Sequence, residues 1–418
     1  MNDAIDPRTL LRRLFDTAVA RADPMRVVAE ALPLAPRGRL VVIGAGKASA
    51  RMAEAVEAAQ GPSEGLVLTR YGYARPTRGI EIVEAAHPVP DAAGEAATAR
   101  LLDRVSDLGP DDLVLALISG GGSSLLCAPQ EGLDLAGKQA LNAALLASGA
   151  PIRVMNAIRT RASRVKGGRL AAACAPARVL SLVISDVPGD DPAEVASGPT
   201  VGARTVEDVD ALIERHGIDL PDPIRTALRH APPPLRVGDD RLAHTTARVI
   251  AAPRQSLDAA AALLDGWDVR LLGDALEGEA RDLAAAQAAQ AVEIAAGLAP
   301  GDAPVALLSG GEVTVTRRGD GTGGPNAEFA LAAALALDGH PRIHLAAGDT
   351  DGVDGAAEIA GALVGPDTLA RGGRAAAEEA LARNDAHSFF AALGDGIVTG
   401  PTLTNVNDFR AILIYPPD

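Results

Sequence analysis

Three glycines stand between serines in 113-LVLALISGGGSSLLCAP-129, directly after an apolar run. One glycine is enough for a tight turn. Gly120, Gly121 and Gly122 in succession strip a loop of side chains, so that a ligand can lie against main-chain N–H groups. Such a loop, bounded by Ser119 and Ser123, suits phosphate or carboxylate; the plain alternative is a structural turn. A hydrolase nucleophile elbow would need G-x-S-x-G and lacks its last glycine here, and no Gly-Lys-Ser/Thr follows to make a Walker A loop.

The stretch 41-VVIGAGKASARMAEA approximates G-x-G-x-x-G, with Gly44, Gly46 and a serine, Ser49, in the third position. Lys47 falls at the predicted strand-to-helix turn, where a cation reaches a phosphate or carboxylate. The next strand ends Thr69-Arg70, without the carboxylate that would bond a ribose. That counts against NAD, although Arg70 leaves NADP open. A basic island follows in 153-RVMNAIRTRASRVKGGRLA, where Arg159, Arg161, Arg164, Lys166 and Arg169 are expected to face an acidic substrate.

Carboxylates cluster twice. Asp186, Asp190 and Asp191 follow a strand in 182-LVISDVPGDDPAEVASGPT, and Asp349, Asp351 and Asp354 recur in 345-LAAGDTDGVDGAAEIAG. Groups so placed bind Mg²⁺ or act as a base, against the alternative of turn chemistry; the second cluster departs from an EF-hand loop. Asp190 is the candidate base, with Asp349 and Asp351 as metal contacts. Ser309, Gly310 and Gly311 suggest a second anion loop. The seven histidines show no ligand spacing, with His87 expected in a loop and His344 in a strand. Cys127 and Cys174 read as small buried thiols.

Positioning these groups requires an alternating framework. Short apolar runs at 39–46, 65–69, 80–86, 113–121 and 179–190 are separated by Ala-rich helical stretches at 47–60, 93–107 and 135–149. Continuous apolar strands with amphipathic helices between them indicate a parallel sheet covered on both faces. The proline- and charge-rich 231-APPPLRVGDDRLAH-244 marks a boundary, after which strands at 247–253, 268–274, 304–315 and 342–352 resume the pattern. Two α/β domains follow, 1–236 and 237–418. Ligands in open α/β sheets sit beyond the carboxyl ends of strands, so a cleft lined by both Ser-Gly-Gly loops is expected.

Composition narrows the partners. Hydrophobic residues make up 48% and aromatics 2%, so the core is aliphatic and its contacts close. A net charge of −15 without a basic run excludes nucleic acid as the expected partner. No apolar run reaches the roughly 20 residues of a membrane span, and the charged N-terminus is not a signal peptide, giving a cytoplasmic expectation. An NAD(P)H-dependent reductase, kept open by GAGKAS, and a non-catalytic sensor of phosphorylated acids are readings these residues leave standing.

GAGKAS, AHPVPD, SGGGSS, VKGG, ISDVPGDDP, ASGPT, LLSGGE, GDTDGVDG and TGPTLTNVND follow in order along the chain, and the likeness they carry extends from about residue 7 to 415. The series resembles the class II glycerate kinases with a C-terminal MOFRL domain, some of which carry the older label hydroxypyruvate reductase. The resemblance implies ATP-dependent phosphorylation of D-glycerate to 2-phosphoglycerate. It also implies a larger Rossmann-like domain, a smaller MOFRL domain, and an active site in the cleft between them. The last stretch is expected to return toward the first domain. Lys47 takes the family's active-site lysine position beside Gly120–Gly122. With Asp190 as its catalytic partner, Ser119–Ser123, Arg159 and Lys166 are read as substrate-binding. Gly44, Gly46, Ser309, Gly310, Gly311 and Asn326 are read as nucleotide-binding, and Asp349 and Asp351 as holding Mg²⁺. A homodimer is left open. The chain departs from the family at 323-GGPNAEFAL, where Pro325 and Ala327 replace an expected arginine and glutamine while Asn326 and Glu328 are kept. Loss of the guanidinium removes a bidentate clamp. Either Arg159 or Lys166 supplies the charge, or the chain accepts another hydroxy acid.

Overall fold

The computed structural model describes residues 5–355 and 359–418. They form two compact units. One comprises 24–185 and 190–250; the other comprises the chain up to Asp23 together with 186–189 and 251–418.

The first unit is built on six strands: β1 (Leu40–Ala45), β2 (Glu64–Arg70), β3 (Ile80–Ala85), β4 (Leu113–Ser119), β5 (Arg178–Ile184) and β6 (Thr245–Ala251). They lie in the order β3-β2-β1-β4-β5-β6, and the first five run parallel to their neighbours. Every residue of β4 is buried, as a strand covered on both faces must be. The chain leaves β1 toward β2 on one side and reaches β4 on the other. At that reversal of strand order the loops following β1 and β4 leave the sheet side by side, the place where open α/β sheets hold ligands. Beside the sheet, helices Leu135–Ala147, Ile152–Arg161, Val209–Arg215 and Asp222–His230 bury a small aliphatic core around Leu141, Leu145, Ile158, Leu212 and Leu228.

The second unit holds β7 (Asp268–Glu279), β8 (Val305–Thr314), β9 (Ile343–Asp349), β10 (Gly361–Val364), β11 (Gly396–Ile397) and β12 (Asp408–Ile414). Their order is β11-β10-β9-β12-β8-β7; β7 and β8 are parallel and the remaining pairs antiparallel. Side chains alternate across the sheet. Ile412 and Ile414 of β12 join helices Ala280–Gly297 and Pro325–Leu337, whereas Phe409, Ala411 and Leu413 join helices Pro7–Arg21 and Pro253–Ala261. The stripe Ala280, Ala284, Ala288, Ala291 and Ala295 turns one small-residue face to the first layer, as the scarcity of aromatics anticipates. Among the described residues no helix is long and apolar enough to cross a membrane.

Three expectations change. Residues 231–244 are not the boundary: they lead into β6, and Val179 N–H already donates to His244 O at 2.9 Å, so the edge strand keeps this segment in the first unit. The N-terminal helix belongs to the second unit, where Phe15 meets Phe409 edge-on at 6.2 Å. The last stretch ends in β12, which pairs on both sides inside the second sheet. Ser309, Gly310 and Gly311 form no open loop; they lie within β8, opposite Arg410, Phe409 and Asp408. The register of β7 on β8 slips just there, and Gly311, at φ +108°, lies so close that a Cβ would stand 2.2 Å from the Leu276 backbone.

Phe15→Ala should therefore weaken the second unit by about 3–5 kcal/mol, the usual cost of emptying a buried phenyl site. Fluorescence of Trp267, the chain's one tryptophan, follows that layer through urea unfolding. An unchanged midpoint would detach the helix from this core.

Candidate active site

The two turns at the reversal of strand order are tied together. Lys47 N–H donates to Gly120 O at 2.9 Å, and Ala48 N–H donates to Ser119 Oγ at 3.1 Å. Ser49 Oγ donates to Leu117 O at 2.9 Å and lies 3.2 Å from Ser119 Oγ. Ser119 is fully buried, so its hydroxyl braces the turns and faces no ligand. Gly44 sits within β1 opposite Leu117, and Gly46 is where β1 comes closest to Ser119: a Cβ there would stand 2.0 Å from Ser119 Oγ. Both glycines thus serve the packing of β1 on β4.

Gly121 has φ +80°, and a Cβ on it would meet the His87 ring and Lys47 Cγ at 3.2 Å each. Lys47 and His87 therefore border the bare stretch of the loop. His87, read from sequence as a loop residue, lies just past the carboxyl end of β3. That position was its signal. The helix after the loop, Gly122–Leu125, is one turn long, shorter than the loop-and-helix reading supposed.

Deeper in the same unit, Lys166 is 2% exposed; its Nζ donates to Ser123 O at 2.5 Å and lies against Ser123 Oγ. Ser123 Oγ is in turn 2.9 Å from Ser197 Oγ. Burial, reinforced by the Lys138 and Arg159 cations, holds Lys166 well below the ordinary lysine range. Ser197, which sequence reasoning does not single out, follows Ala196 and precedes Gly198, all three with φ between 54° and 61°. Left-handed backbone at non-glycine residues costs on the order of 1–3 kcal/mol and persists where surroundings enforce it. Here Gly167 N–H donates to Ser197 O at 3.1 Å and Gly168 N–H to Gly198 O at 2.8 Å. The Lys-Gly-Gly unit grips the Ser197 turn.

Of the rest of the basic island Arg164 is exposed, and Arg159, Arg161 and Arg169 bond their own chain. Arg161 donates to Leu228 O, and Arg169 to the carbonyls of Thr160, Ser163, Lys166 and Pro232. Arg159 reaches Asn142 at 3.3 Å and Asn156 at 3.4 Å. Lys138, lowered to about 8 by burial, holds Arg159 O and Ala162 O at the end of helix Ile152–Arg161. A common basic face toward a substrate is not what forms, because helix ends with unpaired carbonyls claim these donors first.

The first acidic cluster divides. Asp186 accepts from Asn405 Nδ2 at 3.2 Å within the second unit, while Asp190 and Asp191 lie in the first. Asp190 ends the turn Pro188–Asp190 at φ 54°, and Asp191 pairs with Arg204 at 2.7 Å. A cavity of about 240 Å³ opens beside Ser197, lined also by Arg153, Asn156, Asp191, Glu194 and Arg204.

In the second unit, Asp349 Oδ1 accepts from Asp351 N–H at 2.8 Å and Asp351 Oδ1 from Val353 N–H at 2.9 Å. These turn bonds set the two carboxylates two residues apart at the carboxyl end of β9. Among the described residues no three His, Cys, Asp or Glu side chains are grouped to hold a metal. Asp354 caps helix Pro325–Leu337, accepting from Asn326 N–H at 2.9 Å and Ala327 N–H at 2.8 Å. Pro325 occupies the first turn, where a missing N–H costs nothing. Asn326 Nδ2 donates to Asp408 at 2.6 Å, Asp408 pairs with the fully buried Arg410, and Arg410 also reaches Gly310 O. Glu328 is held by Arg281 at 2.5 Å and Asn384 at 2.8 Å. Asn326 and Glu328 are thus spent on the interior, and Asn326 is 1% exposed.

With the geometry in place, comparison with known proteins is direct. A family model described as a domain of unknown function (DUF4147) matches residues 10–229, and the MOFRL family matches residues 305–408. A protein of Agrobacterium vitis named "Putative hydroxypyruvate reductase" is 51% identical over 98% of this chain and 95% of its own. The D-glycerate 2-kinase of Thermotoga maritima is 37% identical over 98% and 99%. A crystal structure of Thermotoga maritima glycerate kinase superposes with a TM-score of 0.87 at 35% identity, covering 98% of this chain and 99% of that one. The chain belongs to the class II glycerate 2-kinase family. Its two matched segments fall on the two sheets, and its Rossmann strand order and mixed second sheet are the family's fold.

Two outcomes test this geometry. Gly121→Ala should cut turnover at least tenfold while costing stability about 1–2 kcal/mol, because left-handed alanine is disfavoured by that much and its methyl presses on His87 and Lys47; unchanged kinetics would make the loop a mere turn. Asp354 is raised from 3.8 to about 7, chiefly by burial. Its contribution to stability is complete below its unfolded value and is lost as pH rises through the folded one. The melting-temperature advantage of wild type over Asp354→Asn should accordingly shrink between pH 5 and pH 8, and a constant difference would refute the shift.

Proposed function

We propose that the chain transfers the γ-phosphoryl group of ATP to the 2-hydroxyl of D-glycerate, giving 2-phosphoglycerate. The observation that carries this reading is the meeting of Lys47 with the bare loop Gly120–Gly122 at the reversal of strand order, held by the Lys47 N–H to Gly120 O bond. Phosphoryl transfer asks a protein mainly for position and for charge near the moving oxygens. Lys47 supplies the cation and the loop the close main-chain approach. The cavity beside Ser197 is small, as a three-carbon acid requires. Mg²⁺, when bound, would neutralise phosphate charge, and Asp349 and Asp351 are the side chains proposed to hold it.

A reductase reading is favoured by the name of the Agrobacterium vitis relative and by a strand order shared with dinucleotide-binding folds. Against it, β2 ends at Thr69-Arg70 with no carboxylate for a ribose. Pro325 stands where the resemblance expects arginine, in a helix start already capped by Asp354. The kinase reading therefore rests on Lys47, not on position 325.

ADP release should follow addition of D-glycerate, ATP and Mg²⁺ and stop with excess EDTA, while NAD(P)H with hydroxypyruvate stays unconsumed; the reverse pattern establishes the reductase. Lys47→Met should cost about 2–3 kcal/mol in kcat/KM, as loss of one transition-state donor does. Pro325→Arg should change glycerate turnover less than about tenfold, or 1.4 kcal/mol. A gain of a hundredfold would mean that glycerate is not the chain's own substrate.

A further inference from the structure

Of the chain's 39 cationic side chains, three are lysines: Lys47, Lys138 and Lys166. All three lie in the first unit. Everywhere else a cation is needed, the sequence uses arginine, which cannot lose its proton in a protein. A lysine kept against that habit marks a place where a compact or deprotonatable amine is wanted. Lys138 is explained by the helix-end carbonyls it holds, and Lys47 by its place at the glycine loop.

Lys166 has neither explanation. Its amine is buried without an ion pair among the described residues, and it hydrogen-bonds Ser123 through both the carbonyl and the hydroxyl. The charged and titratable groups that act on it are Lys138 from helix Leu135–Ala147, Arg159 from helix Ile152–Arg161, and the thiol of Cys127 after the loop. The two cations oppose a further positive charge. Ser123 itself is half-buried, stands at the end of the glycine loop bordered by Lys47 and His87, and shares its hydroxyl with Ser197 at 2.9 Å. The turn carrying Ser197 lines the 240 Å³ cavity and is held in left-handed backbone by Gly167 and Gly168, the two residues after Lys166. A serine hydroxyl held by a buried amine at the end of the loop that Lys47 borders is a path for a proton.

We propose that the acceptor for the substrate hydroxyl's proton is Lys166, acting through the hydroxyl of Ser123. The inference rests on the phosphoryl-transfer reading above. As the substrate oxygen bonds to the γ-phosphorus of the nucleoside triphosphate, the P–O bond to the diphosphate breaks and its electron pair leaves on that group. The substrate proton passes to Ser123 Oγ while the proton of Ser123 passes to the lone pair of Lys166 Nζ. The resulting ammonium returns its proton to water after product departs. Asp190 is then not the base, and Lys166 is a positioning and relay residue whose partner Ser123 meets the substrate.

Three lysines make the test direct. [ε-¹⁵N]Lysine labelling gives three side-chain signals, and the Lys166 signal, identified by its loss in Lys166→Arg, should titrate below the ordinary lysine range. Lys166→Ala should lower kcat by at least about a hundredfold, the contribution of a general base, and small primary amines should restore activity in proportion to their unprotonated fraction. Ser123→Ala should lose kcat similarly with KM within about threefold, while the Lys166 titration persists. An ordinary lysine titration, kcat within tenfold in either alanine variant, or a basic ionisation of kcat that disappears in Asp190→Asn but survives in Lys166→Ala would overturn the relay. Should Lys166→Ala not fold, the wild-type titration and Ser123→Ala still decide. Failure of every hydroxy acid to release ADP overturns the kinase reading, whereas an ordinary Lys166 titration overturns the relay whatever the substrate.

Discussion

The parallel pairing of β1 with β4 is the constraint on which the candidate site depends. Its register sets Ala45 against Ile118, so the two strands end together and their turns leave the sheet side by side. One hydroxyl, that of Ser119, accepts from the Ala48 N–H across the gap and lies beside Ser49, while Gly120 O takes the Lys47 N–H. These buried bonds cannot be exchanged for water, so breaking them leaves unsatisfied groups at a cost of about 1–3 kcal/mol each. A lysine on one turn and a bare loop on the other become one surface. The framework that follows β4 uses the same economy: Lys166 holds Ser123, and its own glycines hold Ser197.

The second unit solves a different problem. Arg410, Asp408, Asn326 and Asp354 are all buried, and burial pushes both carboxyls upward and the guanidinium downward. Such networks are weak evidence for stability, since desolvation offsets much of the attraction. They are strong constraints on geometry, because removing one member leaves its partners uncompensated. This one fixes the start of helix Pro325–Leu337 against strand β12, with Asn326 bonded to Asp408 and Glu328 to Arg281.

Much of the fold was legible because its signals are local. The apolar runs of β1, β4 and β5 and the Ala-rich helices announce a covered parallel sheet through periodicity, and Gly121 announces a left-handed turn through its type. What could not be read depends on partners distant in sequence. The register slip of β7 on β8 turns Ser309–Gly311 from an apparent loop into strand, and β6 carries the boundary past a proline-rich segment that looks like a linker. In the site, Lys47 and Gly120–Gly122 were visible as types at a strand end. Ser197 was not, since nothing local distinguishes it from the turn around it. The basic island misled for a physical reason: helix ends consume arginines before any substrate can.

The N-terminal helix has a consequence for how the molecule is made. Its apolar face, with Leu11, Leu14 and Phe15, is covered by Leu257, Leu308 and Phe409, all from beyond Ala251. A ribosome adding about 5–20 residues per second exposes that helix for some ten seconds or more before its first partner emerges, while the whole of the other unit is synthesised and can fold. Helix Pro7–Arg21 thus waits through the synthesis of the whole first unit for its native contacts. Newborn chains carry an uncovered greasy helix throughout that interval, a natural foothold for chaperones and a hazard when synthesis stalls.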